Sequence, residues 1–201
     1  MKRLVLASGN PGKLREMRAL LAPVALEVVP QAELGIAEAE EPYPTYLENA
    51  LAKARHASYA ANLPALADDS GLSVEALGGA PGVHSALYAG TQGDRAERDA
   101  RNNAKLLAVL EGSAAREATF VSVIVLLRHA ADPEPLVAEG RWLGTIARAP
   151  RGANGFGYDP LFVVEGRGAT AAELEDDEKN RISHRGQALE RLLALLRERA
   201  R

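Results

Sequence analysis

The chain of 201 residues is long enough to bury a sizeable core as one domain, or as one split into two lobes. Its formal charge of −3 announces no face for a polyanion, which argues against a nucleic-acid partner while leaving room for a local basic pocket. With no cysteine, disulfide frameworks, thiolate metal sites and a thiol nucleophile are excluded, so chemistry must rest on carboxylates, lysine, arginine, histidine or hydroxyls.

The opening run Met1 Lys2 Arg3 Leu4 Val5 Leu6 is too short for a signal peptide, and no segment approaches the ~20 apolar residues of a membrane span. The expectation is a soluble, cytoplasmic protein with no membrane partner. Leu4–Ala7 reads as a short buried strand, and Gly12–Leu21 has helical spacing in Leu14, Met17, Leu20 and Leu21, ended by Pro23. Between them, Ser8 Gly9 Asn10 Pro11 Gly12 Lys13 fails as a Walker phosphate loop: Ala7 stands where its first glycine belongs, and Leu14 where its hydroxyl residue belongs. The physics still suits an anion, because glycine lets the backbone approach, the following helix offers free N–H groups at its positive end, and Lys13 adds a cation. The same Asn-Pro-Gly string also makes an ordinary turn. Leu26–Val29 suggests a second strand, and the acidic, proline-rich stretch Glu38–Pro44 a loop. Thr45 and Glu48 then have the capping-box spacing that opens a long Ala-rich helix to about Ala61, stopped by Pro64.

Ala65–Ala67 leads into Asp68 Asp69 Ser70 Gly71. Two adjacent carboxylates at a strand end are hard oxygen donors for Mg²⁺ or Mn²⁺ and can orient a water against phosphorus; the same string is also good turn chemistry. Three glycines and a proline between Gly78 and Ser85 predict an irregular loop. Arg95–Leu110 reads as a helix, Thr119–Leu127 as the strongest strand, and Leu136–Ala147 as its antiparallel neighbour. In Gly152 Ala153 Asn154 Gly155 Phe156 Gly157 Tyr158 Asp159 Pro160, the proline stands where a dinucleotide fingerprint needs glycine. What remains is a ring on a glycine-flexed backbone, suited either to stacking on a flat base beside Asp159 or to ordinary core packing. Ser183 reads as the N-cap of a terminal amphipathic helix reaching Arg199, with Leu189, Leu192, Leu193 and Leu196 on one stripe. His184 and Arg185 in its first turn oppose the helix dipole, a cost that an anionic or carbonyl-bearing ligand would offset; a solvated basic turn is the alternative.

In this order, the motifs closely resemble those of the inosine triphosphate pyrophosphatases, the Ham1-like family. The match runs through almost the whole chain: Ser8 Gly9 Asn10 with Lys13 and Glu16; Glu48 Asn49 Ala50 with Lys53 Ala54; and Ala67 Asp68 Asp69 Ser70 Gly71 Leu72. It continues in Gly78 Gly79 Ala80 Pro81 Gly82, Phe156 Gly157 Tyr158 Asp159 Pro160, and Ser183 His184 Arg185 Gly186. The resemblance implies a single α/β domain over residues 1–201, with a long central mixed sheet flanked by helices and two lobes with an active cleft between them. It implies Mg²⁺-dependent hydrolysis of ITP, dITP or XTP to the nucleoside monophosphate and pyrophosphate by a homodimer, cleansing the nucleotide pool, with Mn²⁺ as a substitute metal.

Carried over residue by residue, Ser8, Gly9, Asn10, Pro11, Gly12 and Lys13 would hold the triphosphate, assisted by Lys53. Asp69 matches the general base that orients water and helps hold the metal, Asp68 supports it from the opposite face, and Glu41 supplies a further carboxylate. Ser70 matches a substrate contact. Phe156, Gly157, Tyr158, Asp159, Lys179, His184 and Arg185 match the base-recognition side, where the ring would stack and donors would read a 6-oxo purine. The chain departs from the family at Glu40 Glu41 Pro42 Tyr43 Pro44, where an acidic residue is commonly followed by Thr-Gly, so Glu40 is the other candidate metal ligand. Two alternatives stand beside this reading. One is a Maf-like nucleotide pyrophosphatase of other base specificity, against which the segment Ser183–Gly186 argues. The other is a non-catalytic nucleotide sensor, against which the acidic set Glu41, Asp68 and Asp69 argues.

Overall fold

β1 (Arg3–Ala7) buries four residues in succession, as a strand covered on both faces must. It pairs in parallel with β2 (Glu27–Pro30) on one side and with β3 (Ala65–Val74) on the other, Ala7 lying opposite Ala67. With β4 (Glu117–Leu127), β5 (Leu136–Ile146) and β6 (Phe162–Val164), these strands form a six-stranded sheet in the order β2-β1-β3-β4-β5-β6. The sheet is mixed, since β5 and β6 are antiparallel, with Thr145 opposite Val163. The computed structural model describes residues 3–24 and 26–199; Met1 and Lys2, which open the run read above, lie outside them. The chain forms two compact units: Met1–Asp69 with Ser122–Gly140 and Arg185–Arg201, and Ser70–Val121 with Arg141–His184.

In the first unit, alternate residues of β1 enter two different clusters, as the period of a strand requires. Val5 and Ala7 join Ala65, Ala67, Val125 and Leu127 beneath α2 (Tyr46–Ala61), which contributes the fully buried Ala50, Ala54 and Ala57. Alanines on that stripe let the helix approach the sheet closely, and Asn49 and Lys53, one turn apart beside them, are buried with it. Thr45 caps α2 by accepting the Glu48 N–H, and Asn62 closes it in a left-handed conformation, two residues before the proline that alone was expected to stop it. Leu4 and Leu6 instead join Leu66, Ile124 and Leu126 with Met17 and Leu21 of α1 (Pro11–Leu21) and Ala188, Leu189 and Leu192 of α5 (His184–Arg199).

The second unit packs Leu106 of α3 (Arg95–Val109) and Leu110 just beyond it against Leu72, Val74, Phe120, Trp142, Ile146 and Phe162. α4 (Asp176–Ile182) follows β6. Two expectations change. The acidic pair does not end a strand or make a turn: β3 runs on to Val74, held by the fully buried Leu72 and Val74. The stretch after Pro81 is not wholly irregular either, because Gly82–Leu87 winds as a 3-10 helix, with the His84 N–H donating to the Pro81 carbonyl.

Candidate active site

Because Ala67 is in register with Ala7, Asp68 and Asp69 follow it beside the point where β1 gives way to the loop at Ser8. Side chains of successive strand residues point to opposite faces, and the two carboxylates accordingly have separate partners. Asp68 meets Lys13 Nζ at 2.8 Å and Arg185 Nη2 at 3.4 Å and accepts from the Ser122 hydroxyl, while Arg185 also pairs with Glu16. Asp69 meets Lys53 Nζ at 2.9 Å and Asn49 Nδ2 at 3.4 Å. Lys53 reaches Glu41 Oε2 at 3.0 Å as well, so its ammonium bridges two carboxylates. It is Glu41 that the structure brings into this group. Asn49 ties its loop down, accepting the Tyr43 N–H at 3.0 Å and donating to the Tyr43 carbonyl at 3.1 Å.

The electrostatics separate the two aspartates further. Burial pushes the Asp68 carboxyl up, but Arg185 and Lys13 outweigh it and hold the group far below the usual carboxylate range. Burial also raises Asp69, and the Glu41 charge adds to this against the opposing pull of Lys53 and Lys13, so Asp69 holds a proton more tightly than an ordinary aspartate. For Glu41, burial works upward but is overcome by Lys53 and by a hydrogen bond with Asp69, leaving it the more acidic of the pair. Burial lowers Lys13. It works downward on Lys53 too, where Asp69 and Glu41 prevail and raise the ammonium above its ordinary value. A carboxyl of raised basicity beside an ordered cation is an arrangement for moving a proton; one fixed as an anion by two cations is an arrangement for holding them in place.

The loop from Ser8 corrects one expectation. The first-turn amides of α1 are not free, because Asn10 Oδ1 accepts from the Gly12 N–H at 3.0 Å and the Lys13 N–H at 3.4 Å, and Pro11 has none. The Asn10 N–H in turn donates to Ser8 Oγ at 3.2 Å. At Gly9 the exposed Glu38 side chain lies over the backbone, and a Cβ there would lie 1.5 Å from its Oε1 and displace it. As for a metal, no group of three or more His, Asp or Glu side chains placed to hold one occurs among the described residues. Glu41 and Asp69 are hard carboxylate donors of the kind that hold Mg²⁺, and here the Lys53 ammonium stands between them.

In the second unit, the loop at Phe156 is shaped by its glycines. Gly155 has φ of 76°, and a Cβ on it would lie 2.0 Å from Asp159 Oδ2, so its absence lets Asp159 fold back and accept the Phe156 N–H at 2.8 Å. Lys179 Nζ donates to the same oxygen at 2.6 Å and stands 4.9 Å from the Phe156 ring centroid. The His184 ring stacks on Phe120 with centroids 4.8 Å apart and planes 9° off parallel.

Two residues expected with this loop are engaged elsewhere. The Tyr158 side chain is buried in the core and donates its hydroxyl to the Ser85 carbonyl at 2.9 Å; burial raises its pKa well above the usual phenol range. Arg185 belongs to the first unit, where Glu16 and Asp68 supply the negative charge that a ligand was expected to bring to the start of α5. Ser70 is half-buried in β3.

Reading the sequence assigned no role to Glu16, Asn49 or Ser122, nor to Asp99 and Asn103, whose side chains reach Gly157. Ser122 carried a signal, as the one polar residue within the apolar run Phe120–Leu127. Glu16 and Asn49 lay inside motifs that had been matched. Asp99 and Asn103 stood on an ordinary charged helix face and carried none.

Carboxylates interleaved with lysines where β1 gives way to its loop, and a ring on a glycine-bent loop, suit an α/β protein of the class that takes phosphorylated ligands. Comparison with known proteins narrows this. A family model described as Ham1 family matches residues 4–195. A dITP/XTP pyrophosphatase of Ralstonia nicotianae is 60% identical over 197 residues, 98% of each chain, and one of Aromatoleum aromaticum is 61% identical over 194 residues, 96% of each. The solved structure of a HAM1 protein from Coxiella burnetii superposes with a TM-score of 0.89 at 50% identity, covering 98% of this chain and all of that one. The chain belongs to the Ham1 family.

Proposed function

We propose that this protein hydrolyses ITP, dITP and XTP to the nucleoside monophosphate and pyrophosphate, clearing deaminated purine nucleotides from the pool. The observation that carries the reading is the Lys53 ammonium held between Glu41 and Asp69, beside the Lys13–Asp68 pair. Carboxylates to orient water and cations to take up phosphate charge are thereby assembled in one unit. The activity printed for the relatives agrees with it.

In this reading Lys13 and Lys53 bind the triphosphate and offset the charge that grows on departing pyrophosphate. Asp69 takes the proton of the water that attacks the α-phosphorus, and Asp68 keeps Lys13 and Arg185 in position. Glu41 and Asp69 would hold Mg²⁺, which supplies Lewis-acid neutralisation of phosphate charge. Phe156 stacks on the base. A 6-oxo purine presents an acceptor where adenine presents an amino donor, so donors facing it leave adenine with unpaired polar groups. We further propose a cytoplasmic homodimer. No helix among the described residues is long and apolar enough to cross a membrane, and a protein of the nucleotide pool works where that pool is.

The test is a substrate panel. Pyrophosphate release from dITP and XTP in Mg²⁺ is expected to exceed that from dATP by roughly 10⁴ in kcat/KM, to exceed that from dGTP as well, and to stop with EDTA until Mg²⁺ or Mn²⁺ returns. Equal rates on all four nucleotides overturn the specificity. Binding without turnover of any leaves a sensor. Light scattering of the same sample reads the dimer.

A further inference from the structure

α3 places Arg95, Asp99 and Asn103 at successive four-residue intervals, hence along one face. All three turn to the loop at Phe156. Asp99 Oδ2 accepts the Gly157 N–H at 2.9 Å, and Asn103 Nδ2 donates to the Gly157 carbonyl at 2.8 Å. Arg95 Nε donates to the two Asp99 oxygens at 3.2 and 3.3 Å, and its guanidinium carbon stands 5.6 Å from the Phe156 ring centroid. The N–H belongs to the peptide plane before Gly157 and the carbonyl to the plane after it. α3 therefore fixes both planes around a residue with φ of 63°, the type of residue with most freedom to change them.

The helix does not need these bonds to stay where it is. Leu106 is fully buried in the core, and Asn102 donates to the Ser85 and Ala86 carbonyls at 3.2 and 3.1 Å while accepting the Ala89 N–H at 2.7 Å. Asn103 even leaves its Oδ1 buried with no hydrogen-bond partner, a cost that its removal relieves. Bonds that the helix can spare, aimed at the glycine that follows the ring residue, serve the loop.

We infer that Asp99, oriented by Arg95, and Asn103 are positioning residues for base recognition, holding Gly157 so that Phe156 is presented flat to the purine; this rests on the function proposed above. Asp99→Ala and Asn103→Ala are each expected to raise KM for dITP roughly 10-fold, the scale of a base-stacking contact, with kcat within about 3-fold. Asp99→Asn keeps an oxygen for the Gly157 N–H and restores most of the loss. Inorganic triphosphate, which has no base, provides the control: its Ki as a competitive inhibitor stays unchanged in every variant. An unchanged KM in both alanine variants overturns the inference, as does a Ki for triphosphate that rises in step with KM. If the unmodified protein turns over neither dITP nor XTP, the functional reading fails and takes this inference with it; normal turnover with indifferent variants sinks this inference alone.

Discussion

The two groups of polar side chains differ most in how their charges are balanced. In the first unit, four carboxylates, Glu16, Glu41, Asp68 and Asp69, share three cations, Lys13, Lys53 and Arg185, mostly out of water. In the second, Asp159 has Lys179 and Asp99 has Arg95, one cation to each anion, around a ring and a stretch of backbone. Glu41, the exposed member, makes the anions one more than the cations, and Asp69, raised by burial and by the Glu41 charge, holds a proton more tightly than an ordinary aspartate. Matched pairs call for nothing and serve to fix shape. The first arrangement suits a ligand that brings charge and reacts; the second suits one that brings a flat face and is recognised.

The sharpest way to break this contrast is to neutralise the carboxylate that is raised. Asp69→Asn keeps the size of the side chain and an oxygen for Lys53, so nucleotide affinity is expected to stay within about 3-fold while kcat falls roughly 10³-fold, the scale of general-base catalysis. Single-turnover kinetics with dITP beside equilibrium binding separates the two. A kcat that survives would place the proton elsewhere and leave Asp69 as one more structural anion.

In the second unit the corresponding change is Phe156→Leu, which keeps an apolar side chain and removes the flat face. KM for dITP is expected to rise roughly 10-fold with kcat little altered. A loss confined to kcat would mean that the ring acts on the reacting phosphate, and the division between the two groups would fail.

Much of this was legible in the sequence, for reasons that differ by residue. Asp68 and Asp69 were found because adjacent acids in an apolar run are chemically conspicuous, and Lys53 because it stands in a motif shared with the family the chain resembles. The extent of β3 was misread because the Asp-Asp-Ser-Gly string satisfies turn chemistry locally, and only the burial of Leu72 and Val74, a tertiary fact, carries the strand past it. β6 and α4 were missed because three residues show no period and Asp176–Ile182 is almost wholly charged or polar. Arg185 was matched to base recognition from its motif, and within the first unit its side chain meets Glu16 and Asp68. Sequence adjacency cannot reveal that its partners are Glu16 and Asp68, 169 and 117 positions away.

The first unit also holds a buried carboxylate that lies outside the reactive group, and it sharpens the comparison from within. Asp132 accepts from the Arg128 N–H at 2.9 Å, Arg128 Nε at 2.8 Å and the Glu134 N–H at 3.0 Å, closing the turn after β4. The Arg128 hydrogen bonds outweigh burial and hold its pKa far below the usual range. Folded Asp132 therefore binds a proton less tightly than unfolded Asp132. Its contribution to stability is full above the ordinary aspartate pKa of about 3.9 and is lost as pH falls below that towards the depressed folded value. Asp132→Asn is expected to lower Tm by roughly 2–6 °C at pH 7, by less at pH 3, and to leave kcat for dITP unchanged. Thermal melts at the two pH values read the first part and steady-state kinetics the second. If kcat fell with Tm, burial and an ion pair alone would suffice to make a carboxylate of this unit matter to turnover, and the distinction drawn from the raised Asp69 would lose its basis.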